Sequence, residues 1–384
     1  GHQMGDELLR LVAERIRAAM PINAEVARLG GDEFAVMLHS CVEDQANQVA
    51  QRLLDALATP LQLGETTLTV HASVGMAEGA IGDDVNAVLR HADIAMYSAK
   101  RSGKSRVVPF EASMQVRASQ RMELEQRLRQ AIAQGVITLN FQPVIDMQTG
   151  AMGKVEVLAR WVDADFGVMP PAEFVALAEE CGQINALGRH VLFTACRQAA
   201  QWRKQPSIGE FAFAVNVSAR ELDDDHYVEQ VEQALSENGL PASALMLELT
   251  ESAMLNPRPQ LRIMLERLRR LGVRLSLDDF GAGYSSLTYL HRFRFDELKI
   301  DRALVERVGY SAEGTALVSA LLAVAQALKL EVVAEGVEHE AQQAELLRIG
   351  CRFGQGYLLA RPMAAEQLIE WIANAAEVVK PATT

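Results

Sequence analysis

Leu275-Ser276-Leu277-Asp278-Asp279-Phe280-Gly281-Ala282-Gly283-Tyr284 reads as a short apolar strand that ends in two adjacent carboxylates and runs straight into a glycine-rich turn. Two acids side by side repel each other unless a cation sits between them. A strand that delivers them to its C-terminal end, with Gly281 and Gly283 keeping the following loop close, suggests a metal site at the mouth of an α/β barrel. Taken alone, the pair fits equally well an N-cap that opens the next helix, a common role for aspartate. The neighbouring strands decide between the two.

From about residue 120 to 376, short apolar or β-branched runs alternate with helical segments, the pattern of parallel β/α units. Their strand ends carry Glu156 in Val155–Trp161, Asn216 in Phe211–Ser218, and Glu248 in Leu245–Glu251. Further on come Lys299 and Asp301 in Asp296–Asp301, Glu335 in Val332–Gly336, and Gln355 in Phe353–Tyr357. One such residue is ordinarily a salt bridge or a cap. Oxygen ligands at most successive strand ends crowd carboxylates into one mouth, which is electrostatically untenable without cations. An all-oxygen set free of thiolates selects Mg²⁺ or Mn²⁺ over Zn²⁺. Two such ions about 3.5–4 Å apart would clamp a phosphodiester and activate a water, and a lysine in the ring would orient that water or counter charge. The residues alone therefore predict a phosphodiester hydrolase.

The totals agree. At 384 residues the chain fits two domains. Its 49% hydrophobic and 23% charged content is that of a globular protein with large cores. A formal net charge of −13 argues against a nucleic-acid polymer or an anionic membrane as partner, while leaving room for a small phosphorylated ligand held by local cations. Cys41, Cys181, Cys196 and Cys351 lack metal-finger spacing and read as reduced thiols. No apolar run reaches membrane-spanning length. A cytoplasmic chain is expected, or the cytoplasmic part of a membrane-anchored sensor.

Residues 1–110 read as an α+β domain. An amphipathic helix precedes Pro21. Ala24–Leu29 and Asp32–Leu38 then read as a hairpin with Gly30-Gly31 at its tip and the acids Asp32 and Glu33 immediately after. Such a turn lets backbone approach a phosphate, and adjacent acids can hold a divalent ion. Taken by itself, an ordinary hairpin with solvated acids fits as well. A helix (Val42–Ala58), a strand (Thr66–Val74) and a helix (Val85–Ala99) are expected to follow. Glu111–Ala133, free of Gly and Pro, reads as a joining helix, either a spacer or a transmitter of nucleotide occupancy.

Arg28-Leu29-Gly30-Gly31-Asp32-Glu33-Phe34, Ala72-Ser73-Val74-Gly75 and the Ala92–Lys100 helix together resemble a GGDEF domain of the diguanylate cyclase family. The resemblance implies metal and catalytic roles for Asp32 and Glu33, a guanine contact for Asp6, phosphate contacts for Lys100 and Lys104, and GTP as ligand. Such a domain ordinarily starts some tens of residues earlier, with a strand bearing a further metal-binding aspartate and a base-binding asparagine. Residues 1–110 alone are therefore not expected to form a competent cyclase. Ile22 and Glu25 stand where an Arg-x-x-Asp feedback site would be, so no such site is expected.

Residues 121–372 resemble the EAL domain family, cyclic-di-GMP phosphodiesterases on a (β/α)8 TIM-like barrel, here with Glu156-Val157-Leu158 as the signature. The resemblance implies metal ligands at Glu156, Asn216, Glu248, Asp278, Asp279 and Glu335, with Asp301 near the second metal. It implies Lys299 as the catalytic lysine, Gln355 as the water-positioning glutamine, and Glu251 as the support of the 279–287 loop. Gln142, Leu158 and Arg160 would hold the dinucleotide. The implied reaction is hydrolysis of cyclic di-GMP to pGpG by a homodimer using Mg²⁺ or Mn²⁺. The GGDEF half would be a GTP-responsive regulator, or a second enzyme in a longer protein. A catalytically silent cyclic-di-GMP receptor is the alternative, though such proteins are expected to have lost ligands that this chain retains.

Overall fold

The structure, a computed structural model, describes residues 2–378 other than Glu65, Pro206, Ser207, Gly209, 255–258 and 282–292. It divides into two compact units, residues 1–124 and 125–384. The helix Ala112–Gln134 carries the chain across that boundary.

In the first unit, helix His2–Ala19 places Val12 and Ile16 one turn apart on a buried stripe. They pack with Leu53 and Leu57 of helix Glu43–Ala58, and with Leu61. β1 (Ala24–Gly30) and β2 (Glu33–Leu38) form the expected antiparallel hairpin, turning at Gly31-Asp32, one residue later than the sequence suggests. The strand expected over Thr66–Val74 is divided. β4 (Thr66–Leu68) pairs back on β3 (Leu61–Leu63), whereas β5 (Val74–Met76) runs parallel to β6 (Val107–Pro109). A run of β-branched residues sets strand propensity, and the available partners decide where it breaks. Helix Val85–Arg101 lies so close on β5 that a Cβ on Gly75 would sit 2.0 Å from the Ala92 carbonyl oxygen.

In the second unit, eight strands close into a barrel. They are β7 (Thr138–Asp146), β8 (Met152–Asp163), β10 (Ala212–Val217), β11 (Leu245–Thr250), β12 (Arg274–Phe280), β13 (Glu297–Ile300), β14 (Glu331–Ala334) and β15 (Phe353–Gly354). A short β9 (Gly167–Met169) extends the end of β8. Strands β8 and β10 to β15 run parallel in ring order, joined by crossovers that include helices Ile184–Arg203, Pro259–Leu271 and Ala312–Leu328. β7 departs from the all-parallel expectation and runs antiparallel to both neighbours. The cause is local. Asp146-Met147-Gln148-Thr149-Gly150 makes a tight turn in which Asp146 Oδ1 accepts from the backbone N–H of Gln148 and Thr149, and a turn that short joins only antiparallel strands. Arg352 donates twice to Asp146 Oδ2, at 2.8 and 2.6 Å, tying β15 to β7 where the ring closes. That guanidinium holds the Asp146 carboxyl down at about 2. Large side chains fill the layer outside the strands: Trp202 meets Phe141 edge-on at 4.6 Å, and Trp161 meets Phe174 at 6.1 Å.

Candidate active site

A parallel strand brings alternate side chains to the barrel lumen, and its C-terminal end lies at the mouth. Glu156 (β8), Glu248 (β11), Asp278 (β12) and Lys299 (β13) all arrive there buried, with Lys299 and Glu248 at 0% exposure. The Lys299 ammonium lies 3.2 Å from Glu156, 3.1 Å from Glu248, 3.2 Å from Asp278 and 2.7 Å from Glu335. Glu335 stands just past β14 and Gln355 just past β15. Gln355 Nε2 donates to Glu156 Oε2 at 2.7 Å and to Gln142 Oε1 at 3.0 Å, and Asn216 Nδ2 donates to Glu156 Oε1 at 2.8 Å. Gln142 in turn donates to the Ala360 carbonyl. All eight barrel strands thus contribute to one polar network.

Adjacent residues of a regular strand face opposite ways, yet Asp278 and Asp279 both reach the mouth. The ladder explains how. Leu277 pairs with Leu298 and Phe280 with Ile300, so β12 spends one residue more than β13 over the same span. That bulge falls where Asp279 takes a left-handed φ of +56°, a conformation aspartate tolerates better than most residues. Gly281 follows at φ +101°, with Leu304 2.2 Å from where a Cβ would be. The glycine anticipated as keeping the turn close thus holds a left-handed conformation that any side chain would strain; Ala282 and Gly283 lie outside the described residues, as does most of the 279–287 loop.

The carboxylate oxygens form two groups, Glu156–Glu248–Asp278 and Asp278–Asp279–Glu335, each with its atoms within 4.8 Å of one another and sharing Asp278. The electrostatics register the crowding. Burial and the neighbouring acids Glu156 and Asp278 push Glu248 well above the usual carboxylate range, against the pull of Lys299 and Lys154. Burial, against Lys299 and with Asp278 and Glu156, lifts Glu335 to about 8; burial, Asp278 and Asp301 lift Asp279 to about 6. Burial works against the charge on Glu156 too, but Lys299 and the Gln355 and Asn216 amides hold that carboxyl low. Burial likewise opposes the Lys299 charge, and four carboxylates override it, raising the ammonium well above its ordinary value. One lysine cannot offset five acids. Glu248 Oε1 and Gln355 Oε1 are buried without a hydrogen-bond partner among the described residues. Both acid groups offer carboxylates alone, a donor set that fits hard divalent cations.

Other anticipated residues stand nearby or apart. Asp301 uses its carboxylate to cap helix Arg302–Val305, accepting from Ala303 N at 2.9 Å, and lies outside both acid groups while still adding charge beside Asp279. Glu251 is buried, and its Oε2 accepts from Gly281 N at 3.4 Å. Leu158 and Arg160 continue the inward row of β8 above Glu156, and burial lowers the Arg160 pKa against the pull of Tyr357 and Glu156. In the first unit, Asp6, Gly30, Gly31, Asp32, Glu33, Lys100 and Lys104 are all exposed. Asp6 shares a cleft of about 170 Å³ with Arg28 and Phe34, and Arg28 donates to the Gly31 carbonyl at 2.9 and 2.7 Å. A larger cleft of about 910 Å³, lined by Ile137, Phe141, Phe193 and Ala365, contains none of the acid cluster. Sequence reasoning passed over Lys154, Ser276 and Glu297, buried polar residues lying two positions before Glu156, Asp278 and Lys299.

Comparison with known proteins bears on this arrangement directly. The EAL domain family model matches residues 125–362. The chain belongs to the EAL domain family. Ahead of the EAL domain, residues 1–106 match the model for the diguanylate cyclase, GGDEF domain. The bifunctional diguanylate cyclase/cyclic di-GMP phosphodiesterase MucR of Pseudomonas aeruginosa is 40% identical over 374 residues, 97% of this chain and 54% of that protein. The cyclic di-GMP phosphodiesterase PdeR of Escherichia coli is 36% identical over 372 residues, again 97% of this chain and 56% of that protein. The chain thus spans about half the length of the curated relatives it matches. Among solved structures, the PaMucR phosphodiesterase in complex with c-di-GMP is 42% identical with a TM-score of 0.61, covering 64% of this chain and 99% of that one. The manganese and cyclic di-GMP complex of Klebsiella pneumoniae BlrP1 is 29% identical with a TM-score of 0.53, covering 59% and 56%. No helix among the described residues is long and apolar enough to cross a membrane.

Proposed function

We propose that the EAL domain hydrolyses cyclic di-GMP to pGpG, with Mg²⁺ or Mn²⁺ held by Glu156, Asn216, Glu248, Asp278, Asp279 and Glu335. The observation that carries this reading is the pair of carboxylate groups sharing Asp278 around a buried lysine. When bound, the cations supply Lewis acidity, and a water of lowered pKa, to the phosphodiester. The side chains supply order. Gln355 and Asn216 fix both oxygens of Glu156, so that carboxylate needs no reorganisation as charge develops. Lys299 keeps a positive charge at the centre, where it steadies the acids and faces the negative charge that grows on phosphorus oxygens. Water adds its oxygen to phosphorus, the bond from phosphorus to the 3′-oxygen breaks, and a proton ends on that 3′-oxygen. Gln142 on β7 and Leu158 and Arg160 on β8 would hold the dinucleotide.

The test is incubation of the purified chain with cyclic di-GMP and Mg²⁺ or Mn²⁺, following pGpG release. Tight binding without turnover in either metal would establish a receptor instead. Excess Ca²⁺ is expected to inhibit, since it favours longer bonds and looser geometry. The GGDEF unit is proposed as a GTP-binding regulator, which a rate unchanged by GTP would refute. Self-association as a homodimer is proposed from the family resemblance, and light scattering tests it.

A further inference from the structure

Beneath the acid mouth, the lumen carries a second charged layer. Residues two apart on a strand share a face, so each strand that raises a site residue carries another below it. Below Glu156, Glu248, Asp278 and Lys299 stand Lys154, Met246, Ser276 and Glu297. Branched apolar side chains ordinarily dominate the inner layers of such a barrel. Here Lys154 and Glu297 form an ion pair at 4% and 0% exposure. Ser276 Oγ donates to the same Glu297 Oε1 at 2.8 Å, and Lys154 Nζ lies 3.4 Å from Met246 Sδ. Lys154 Nζ also lies 3.7 Å from Glu248 Oε1. That oxygen has no hydrogen bond among the described residues, while its twin Oε2 stands 3.1 Å from Lys299.

A buried ion pair gains little over apolar residues of the same volume, because desolvating two ions offsets their attraction. Stability alone is therefore a poor reason for this pair, and its contact with Glu248 supplies a better one. We propose that Lys154 is a positioning residue for Glu248. Glu297 and Ser276 hold the ammonium under the inner oxygen, which sets the rotation of the carboxylate and leaves Oε2 turned to the mouth. The proposal rests on reading the mouth as a divalent-cation hydrolase, and Lys154 acts there only through Glu248.

A bare counter-charge and a positioning group predict opposite signs. Removing a mere counter-charge makes the mouth more negative and raises cation affinity. Removing a positioning group frees Glu248 and lowers it.

The parent chain is first titrated with Mn²⁺ by calorimetry and assayed for pGpG release. A parent that binds no Mn²⁺ overturns the hydrolase reading, and this proposal with it, before any variant is made. Lys154→Met/Glu297→Gln then removes both charges at nearly constant volume. Its Tm is expected to stay near that of the parent, while Mn²⁺ affinity and kcat each fall about 10–100-fold, the range seen when partners behind a metal ligand are lost. KM for cyclic di-GMP should stay within about threefold of the parent, since no uniform binding contact is removed. Unchanged Mn²⁺ affinity in the double variant overturns the proposal, as does raised affinity in Lys154→Met. Where the double variant does not fold, Ser276→Ala tests the same claim with both charges in place. Mn²⁺ affinity weaker by a few-fold supports the proposal, and parental affinity overturns it.

Discussion

Asp32 and Glu33 follow a glycine at an exposed hairpin, whereas Asp278 and Asp279 precede one at the end of a barrel strand. Both are adjacent acids beside a turn. The first pair has no ion-pair partner among the described residues; the second shares its space with three further carboxylates and a lysine. Two like charges 4 Å apart repel by about 1 kcal/mol in water and about 4 kcal/mol at the effective dielectric near a protein surface. The hairpin acids therefore need nothing from one another, while the barrel acids are held in mutual conflict by a network drawn from all eight barrel strands. What separates a mutually strained cluster from a solvated pair is convergence from distant parts of the chain.

The hardest blow to that contrast is Lys299→Met. It leaves four acids, three of them buried, without their central cation, so metal-free stability is expected to drop by about 3–5 kcal/mol in urea unfolding. Turnover should fall about 10³-fold. Asp32→Asn, by comparison, should stay within about 0.5 kcal/mol of the parent. A Lys299→Met chain as stable as its parent would erase the distinction.

Cations should relieve the conflict in the barrel mouth. At 100 times its dissociation constant, a single bound Mn²⁺ stabilises by about 2.7 kcal/mol. Chelation should reverse the gain, and calorimetric melting at several Mn²⁺ concentrations measures it.

The pH response sharpens the same point. Folding raises Asp279 from 3.8 to about 6 and Glu335 from 4.5 to about 8, so between about pH 4 and 8 the cation-free folded chain binds more protons than the unfolded one. Cation-free stability should therefore fall as pH rises through that window, and Mn²⁺ should flatten the slope. A slope of the opposite sign would show the acids to be already compensated.

The smallest effect belongs to the seam. Asp146→Asn weakens the charge-assisted bonds from Arg352, with an expected cost of about 1–2 kcal/mol and no change in Mn²⁺ affinity. A loss of Mn²⁺ binding there would extend the site to the far side of the ring.

Much of the barrel site could be read from the chain because oxygen donors at strand ends are a repeated, one-dimensional signal. The reversal of β7 was less visible. It is decided by whether Asp146–Gly150 makes a turn or opens a crossover, and both begin with an acid and a glycine. Thr66–Val74 misled for a related reason: propensity marks a strand, and pairing partners cut it. Asp301 shows a competing use, since an acid before Arg302–Val305 serves a helix as readily as a metal. Lys154 and Glu297 meet across 143 residues, and only the register of the closed sheet makes them neighbours.

The extra residue in β12 has a consequence for how this segment tolerates change in length. Deleting Asp279 would restore one-to-one pairing of Leu277–Phe280 with Leu298–Ile300 and keep Phe280 on its buried side. The sheet would not miss it. Inserting a residue elsewhere in the strand would instead reverse every side chain beyond that point. The second acid is thus a passenger of the fold and a requirement of the proposed chemistry alone, and a shortened, well-folded barrel with one acid group in place of two is what its loss would leave.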